Sequence, residues 1–178
     1  MRWLAAAVFL FVSQAALAGS FTLRSADFKP NQKIPMAYVY KGFGCTGGNV
    51  SPELHWTGAP AGTKSFAITV YDPDAPTGSG WWHWVVYNIP ADVHQLAKGA
   101  SAKGMPAGAV QNLTDFGIHG YGGPCPPKGA KAHRYIFTVY ALDVPKFELP
   151  AEASPAMVGF NIHFHTLAKA HFRALYGR

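Results

Sequence analysis

Four short runs rich in β-branched and aromatic residues, at 34–40, 65–71, 82–89 and 135–142, are separated by segments dense in glycine and proline, and this alternation constrains the fold most. Runs of that length bounded by turn-formers read as strands. Spacers such as Lys41-Gly42-Phe43-Gly44 and Thr57-Gly58-Ala59-Pro60-Ala61-Gly62 favour hairpins and loops over crossover helices. One segment departs from the pattern. Ser154-Pro155 offers an N-cap and a proline at the first helical position. Met157, Phe160, Phe164, Leu167, Ala168, His171, Phe172 and Leu175 then follow with helical spacing, which predicts an amphipathic C-terminal helix. A shorter helix over 91–98 is weakly marked. With no repeat and no low-complexity linker, residues 19–178 are expected to form one mostly antiparallel β domain with a helix packed against it.

The first residues point to export. Arg2 precedes an apolar run over 3–12, and Ala16 and Ala18 match the small-residue rule for signal-peptidase cleavage, so residues 1–18 read as a secretory signal. The run is about half the ~20 residues that a spanning helix needs, and no later stretch could act as a membrane span. The expected location is periplasmic or secreted. Removing Arg2 lowers the formal charge from +6 to +5, and the remaining lysines and arginines are scattered singly. That distribution argues against a nucleic-acid partner and suits solubility and a mild attraction to anions. In an oxidising compartment the two cysteines, Cys45 and Cys125, admit either a bridge or two buried thiols.

Polar residues with chemical potential gather in two places. The first is Asp72-Pro73-Asp74-Ala75-Pro76, at the exit of one predicted strand, followed after a glycine-containing turn by Trp81-Trp82-His83-Trp84. Two prolines fix φ and hold the carboxylates in a stiff turn. The second is Tyr121-Gly122-Gly123-Pro124-Cys125-Pro126-Pro127-Lys128-Gly129, which leads to His133-Arg134-Tyr135 at the head of another strand. His133 and Tyr135, two apart, share a face of that strand. The glycines allow close backbone approach, and their amides could converge on an anion. Two imidazoles, a phenol and one or two amides are the donors that a phosphate or carboxylate needs, with Asp72 deciding which ring nitrogen carries the proton. The same residues also fit turn caps and polar strand ends, and the residue types alone leave both readings open.

The combination of these two motifs with Cys45-Thr46-Gly47-Gly48-Asn49-Val50-Ser51-Pro52-Glu53-Leu54 resembles the phosphatidylethanolamine-binding protein family, in particular its bacterial Raf kinase inhibitor-like branch, over nearly all of the chain after the signal. The resemblance implies a large antiparallel sheet, a smaller second sheet, a C-terminal helix and an anion pocket at one end of the large sheet. It assigns Asp72, His83, His133 and Tyr135 to the pocket and Pro76, Gly123 and Pro124 to its walls. Asp74 is assigned to holding the turn, and Tyr121 to the rim. Trp81 and Trp82, next to His83, are placed to line the cavity. The turn between Pro76 and His83 is shorter than in mammalian members, which implies a more open rim. An inhibitor activity towards a cytosolic kinase does not carry over to an exported protein.

The expected function is therefore binding of a small anionic ligand, such as a phospholipid headgroup, with no catalysis and no cofactor. Two rival readings remain: a metal-dependent hydrolase with Asp72, His83 and His133 as ligands, and a module that engages a protein partner. A Cys125 nucleophile paired with His133 is weaker, because the compartment favours a bridge. His163 and His165, two apart on a helix, point to different sides and do not form a metal pair. His171 lies on the apolar stripe, and His55, His94 and His119 have no nameable partner; all four read as structural or solvated.

Overall fold

The computed structural model describes residues 19–178, so the predicted signal at 1–18 lies outside the described residues. The strands are β1 (Thr22–Arg24), β2 (Lys41–Gly42), β3 (Cys45–Thr46), β4 (Leu54–Thr57), β5 (Ser65–Asp72), β6 (Trp81–Pro90), β7 (Gln95–Leu96), β8 (Val110–Gln111), β9 (His133–Leu142) and β10 (Thr166–Tyr176). A one-turn helix α1 (Ala100–Lys103) and an eleven-residue helix α2 (Pro155–His165) complete the described elements, with a 3-10 turn over Met36–Tyr38. Five strands form the main sheet in the order β10-β9-β5-β6-β8, three form a second sheet in the order β1-β4-β7, and β2-β3 is a hairpin. All the pairings between these strands are antiparallel.

Central β5, Ser-Phe-Ala-Ile-Thr-Val-Tyr-Asp, is buried at every position but Tyr71 because both faces of the main sheet are covered along most of it. One face carries Phe66, Ile68, Val70, Trp84, Phe137 and Val139 into a core shared with Leu54 and Trp56 of the second sheet. The other packs Ala67, Val85, Tyr87 and Leu142 beneath Val158 and Ile162 of α2. A strand buried on both sides reads as a continuous apolar run rather than an alternating one. The expected large sheet, smaller sheet and helix are all present.

The helix is shorter than the spacing suggested, and its apolar stripe faces outward. Ser154 caps it as expected, its hydroxyl accepting the Met157 N–H at 3.1 Å. The helix stops at His165, and Thr166–Tyr176 pairs with β9. There Ala170, Phe172, Ala174 and Tyr176 are buried while Lys169, His171 and Arg173 are exposed, a period of two that coexists with the helical spacing. Pairing with β9 satisfies the backbone and decides between the two periods. Met157, Phe160 and Phe164 lie on the solvent side of α2, and Val158 and Ile162 fill the core instead. The chain thus ends in a strand, not a helix.

Two other expected elements differ. Residues 34–40 form no strand; Pro35 precedes the 3-10 turn, and Ile34 is buried from an irregular segment that runs beside β10. That segment forms one isolated parallel bridge, Lys33 to Leu175, and the Ile34 N–H donates to Leu175 O at 2.8 Å. Residues 91–98 form a turn and then β7, and the helix in that region is α1. No helix among the described residues is long and apolar enough to cross a membrane.

Candidate anion-binding site

The C-terminal end of β5 and the N-terminal ends of β6 and β9 meet at one end of the main sheet. Asp72, His83, His133 and Tyr135 are brought together there, all nearly or fully buried, and all four line a cavity of about 170 Å³.

His83 is aimed by a bulge. Val70 pairs with Trp84 and Tyr71 with Trp82, so β6 holds one extra residue, His83, at the Val70/Tyr71 step. Extra residues of this kind re-aim side chains next to functional sites. Its Nδ1 lies 2.7 Å from the Gly122 carbonyl, which only accepts, so Nδ1–H donates and the neutral ring keeps a bare Nε2. Burial holds the imidazole well below its ordinary range, at about 4. His133 is oriented differently. Its Nδ1 donates to Asp72 Oδ2 at 2.7 Å, and Asp72 Oδ1 accepts the Asp74 N–H at 2.8 Å. One carboxylate therefore closes its own turn and sets the His133 tautomer. Asp72 was expected to orient both rings, but His83 takes its orientation from Gly122.

Asp74 holds the turn as expected. The Arg134 guanidinium grips it in a two-pronged ion pair, Nη2 to Oδ1 at 2.6 Å and Nε to Oδ2 at 2.9 Å, and the Arg134 N–H adds a bond at 2.8 Å. These bonds hold the Asp74 carboxyl down at about 2. Because Arg134 lies between His133 and Tyr135, the clasp also sets where the β9 donors stand relative to Asp72.

Tyr135 is fully buried, and its hydroxyl has no hydrogen-bond partner. Burial, then the charge of the Asp72 carboxylate, which lies close to the hydroxyl without meeting hydrogen-bond geometry, pushes the phenol upward, so it remains a donor. Buried polar groups almost always find partners. Among the described residues three buried side-chain polar atoms lack one, and two of them, Tyr135 OH and Trp81 Nε1, belong to residues that line this cavity. Unpaired donors beside two imidazoles are what an anion would satisfy.

Residues 24–177 match the family described as phosphatidylethanolamine-binding protein. The chain belongs to that family. Among its relatives, UPF0098 protein YbhB of Escherichia coli is 54% identical over 156 residues, covering 86% of this chain and 98% of that protein. UPF0098 protein YbcL of the same organism is 48% identical over 172 residues, covering 95% and 94%. The crystal structure of YbcL, described as a new member of the mammalian PEBP family, matches with a TM-score of 0.88 over 90% of this chain and 99% of that one. CT736 of Chlamydia trachomatis, a PEBP homologue, matches with a TM-score of 0.75 at 32% identity, covering 89% and 98%.

In this family member the remaining expected site residues fall into two groups. Pro76 lines the cavity. Gly123 and Pro124 do not; the lining continues instead through Cys125, Pro126 and Pro127. Gly123 is needed behind the wall, where a Cβ would overlap the Tyr38 carbonyl. Nor are the glycine amides free for a ligand, since Gly122 N–H donates to His83 O at 2.8 Å and Gly123 N–H to Asn49 Oδ1 at 2.8 Å. Tyr121 is no rim residue; it is buried, and its hydroxyl donates to Tyr38 O at 2.9 Å. Of the two neighbouring tryptophans, Trp81 lines the cavity. Trp82 points to the opposite face of the sheet and packs on Tyr71 at 4.6 Å between ring centroids.

Sequence reasoning missed Phe43, Thr77 and Phe116, all part of the lining. Phe43 reaches it because Cys45 and Cys125 are joined in a disulfide, which fastens the β2–β3 hairpin to the proline-rich wall. Of the two open options for these cysteines, the structure has the bridge.

Proposed function

We propose that this protein is a non-catalytic receptor for a small phosphate- or carboxylate-bearing molecule, which docks against His83, His133 and Tyr135. The observation that carries this reading is the buried Tyr135 hydroxyl without a partner, on a residue lining the cavity with two imidazoles. The volume of about 170 Å³ is well below the roughly 300–1,000 Å³ of a site for a drug-sized ligand. It suits a headgroup rather than an acyl chain. The disulfide and the signal-like residues 1–18 support an exported location; recovery of protein starting at Gly19 from the exported fraction would test it.

The hydrolase reading needs three ligands around one metal. Among the described residues no three His, Cys, Asp or Glu side chains gather at metal-binding distances. Metal analysis of the purified protein tests that reading directly, and stoichiometric zinc or iron would favour it.

His83 makes binding proton-linked. In the free protein His83 stays neutral down to about pH 4 and presents a lone pair. An oxyanion against Nε2 favours the protonated ring, so its pKa is higher in the complex. Between the two values binding takes up a proton, and affinity rises as pH falls towards about 4. Sulfate is the clean probe, because its charge is constant over this range. Calorimetry in buffers of different ionisation heat is expected to show proton uptake on binding. His133→Ala should weaken sulfate and inorganic phosphate by about tenfold or more, since hydrogen bonds to charged groups contribute roughly 1.5–3 kcal/mol each, while the protein remains folded. Unchanged affinity in the variant, or affinity independent of pH, would sink the assignment.

A further inference from the structure

Phe43 stands in left-handed backbone at φ 53°, where bulky residues are rare, and the residue is 66% exposed. With Gly44 at φ 75° it forms the two-residue tip of the β2–β3 hairpin. Asparagine-glycine meets the same backbone requirement without exposing an aromatic ring. The tip is also fastened. Beyond the disulfide at Cys45, the Arg178 guanidinium donates to Gly44 O at 2.9 Å and Phe43 O at 3.3 Å, and to Pro126 O in the opposite wall at 2.7 Å. A strained conformation held this firmly at a cavity mouth points to a role in what enters.

Phe43, Phe116 and Trp81 all line the cavity and form an aromatic corner. Phe116 meets Trp81 edge-on, 5.3 Å between centroids at 80°, and Phe43 stacks on Phe116 at 5.8 Å and 23°. The carboxylate in the lining is Asp72, which is 2% exposed and already committed to His133 and the Asp74 amide. A primary ammonium has three N–H donors to satisfy, and the side chains of this corner, two phenyl rings and an indole, offer no acceptors for them. A quaternary ammonium has no donors, and aromatic faces attract it. Resting on the anion-binding reading above, we propose that the site takes a phosphoester bearing a quaternary ammonium group, its phosphate at the imidazoles and its cation in the Phe43–Phe116–Trp81 corner.

Calorimetry of the intact protein with phosphocholine, phosphoethanolamine, inorganic phosphate and neohexyl phosphate, in which carbon replaces the quaternary nitrogen, tests this. Phosphocholine is expected to bind about tenfold tighter than phosphoethanolamine and about fivefold tighter than neohexyl phosphate. Phe43→Leu should narrow the preference for phosphocholine over neohexyl phosphate to about twofold, and Phe43→Trp should keep or widen it. Equal or tighter binding of phosphoethanolamine overturns the proposal. So does neohexyl phosphate binding as well as phosphocholine, because the corner would then be reading bulk rather than charge. If inorganic phosphate binds but the esters are not discriminated, this inference alone fails. If no phosphate binds at all, the anion-binding reading fails and takes this one with it.

Discussion

Replacing both Cys45 and Cys125 with alanine is expected to lower the unfolding free energy by about 4 kcal/mol, and chemical denaturation under non-reducing conditions would measure it. The bridge joins residues 80 apart in sequence, and closing so long a loop removes much of the freedom of the unfolded chain. The loss is local as well as global. Without the bridge, the hairpin that carries Phe43 is held by a two-pair ladder, the Arg178 contacts and the Phe43–Phe116 stack, so its amides should exchange faster than those of β5 and β9. A destabilisation below about 1 kcal/mol would show that the bridge is incidental to the fold.

Trp84→Ala is expected to cost a further large amount, about 3–5 kcal/mol. Trp84 is completely buried between the two sheets, meets Tyr121 edge-on at 5.7 Å, and donates its indole N–H to Gln111 Oε1 at 2.9 Å. Truncation leaves a cavity and strips a half-buried acceptor of its donor, although Gln111 Oε1 keeps the Ser101 hydroxyl at 2.6 Å. Because Trp84 follows His83 at the bulge, the damage should reach the site, and affinity for phosphate should fall alongside the denaturation midpoint. A midpoint shift worth less than about 1.5 kcal/mol would mean that the core collapses around the gap.

What could be read from the sequence, and what could not, follows from how locally each feature is determined. The stiff Asp72-Pro73-Asp74-Ala75-Pro76 turn and the two-residue spacing of His133 and Tyr135 are local, and both foreshadow the cluster that the structure assembles. The family resemblance supplied the fold and linked the two motifs. The strand at Thr166–Tyr176 was missed because the segment carries two periods at once, and only a partner strand chooses between them. The apolar stripe on α2 is real, but its burial depends on what lies beneath the helix, which spacing alone does not reveal. Phe43 and Phe116 lie in loops just outside the motifs that begin at Cys45 and Tyr121, and they enter the site through a disulfide and long-range packing. A faint signal existed for Phe43: phenylalanine occupies a Phe-Gly hairpin tip where asparagine is the usual choice.

In the proposed receptor the incoming anion takes up the unpaired Tyr135 hydroxyl, and Tyr135→Phe isolates that atom. Removing an unsatisfied buried hydroxyl should leave the unfolding free energy unchanged or raise it by about 1 kcal/mol, while affinity for inorganic phosphate falls by about tenfold. A variant that binds phosphate as the wild type does, or that loses more than about 1 kcal/mol of stability, would show that the hydroxyl serves the fold rather than a ligand.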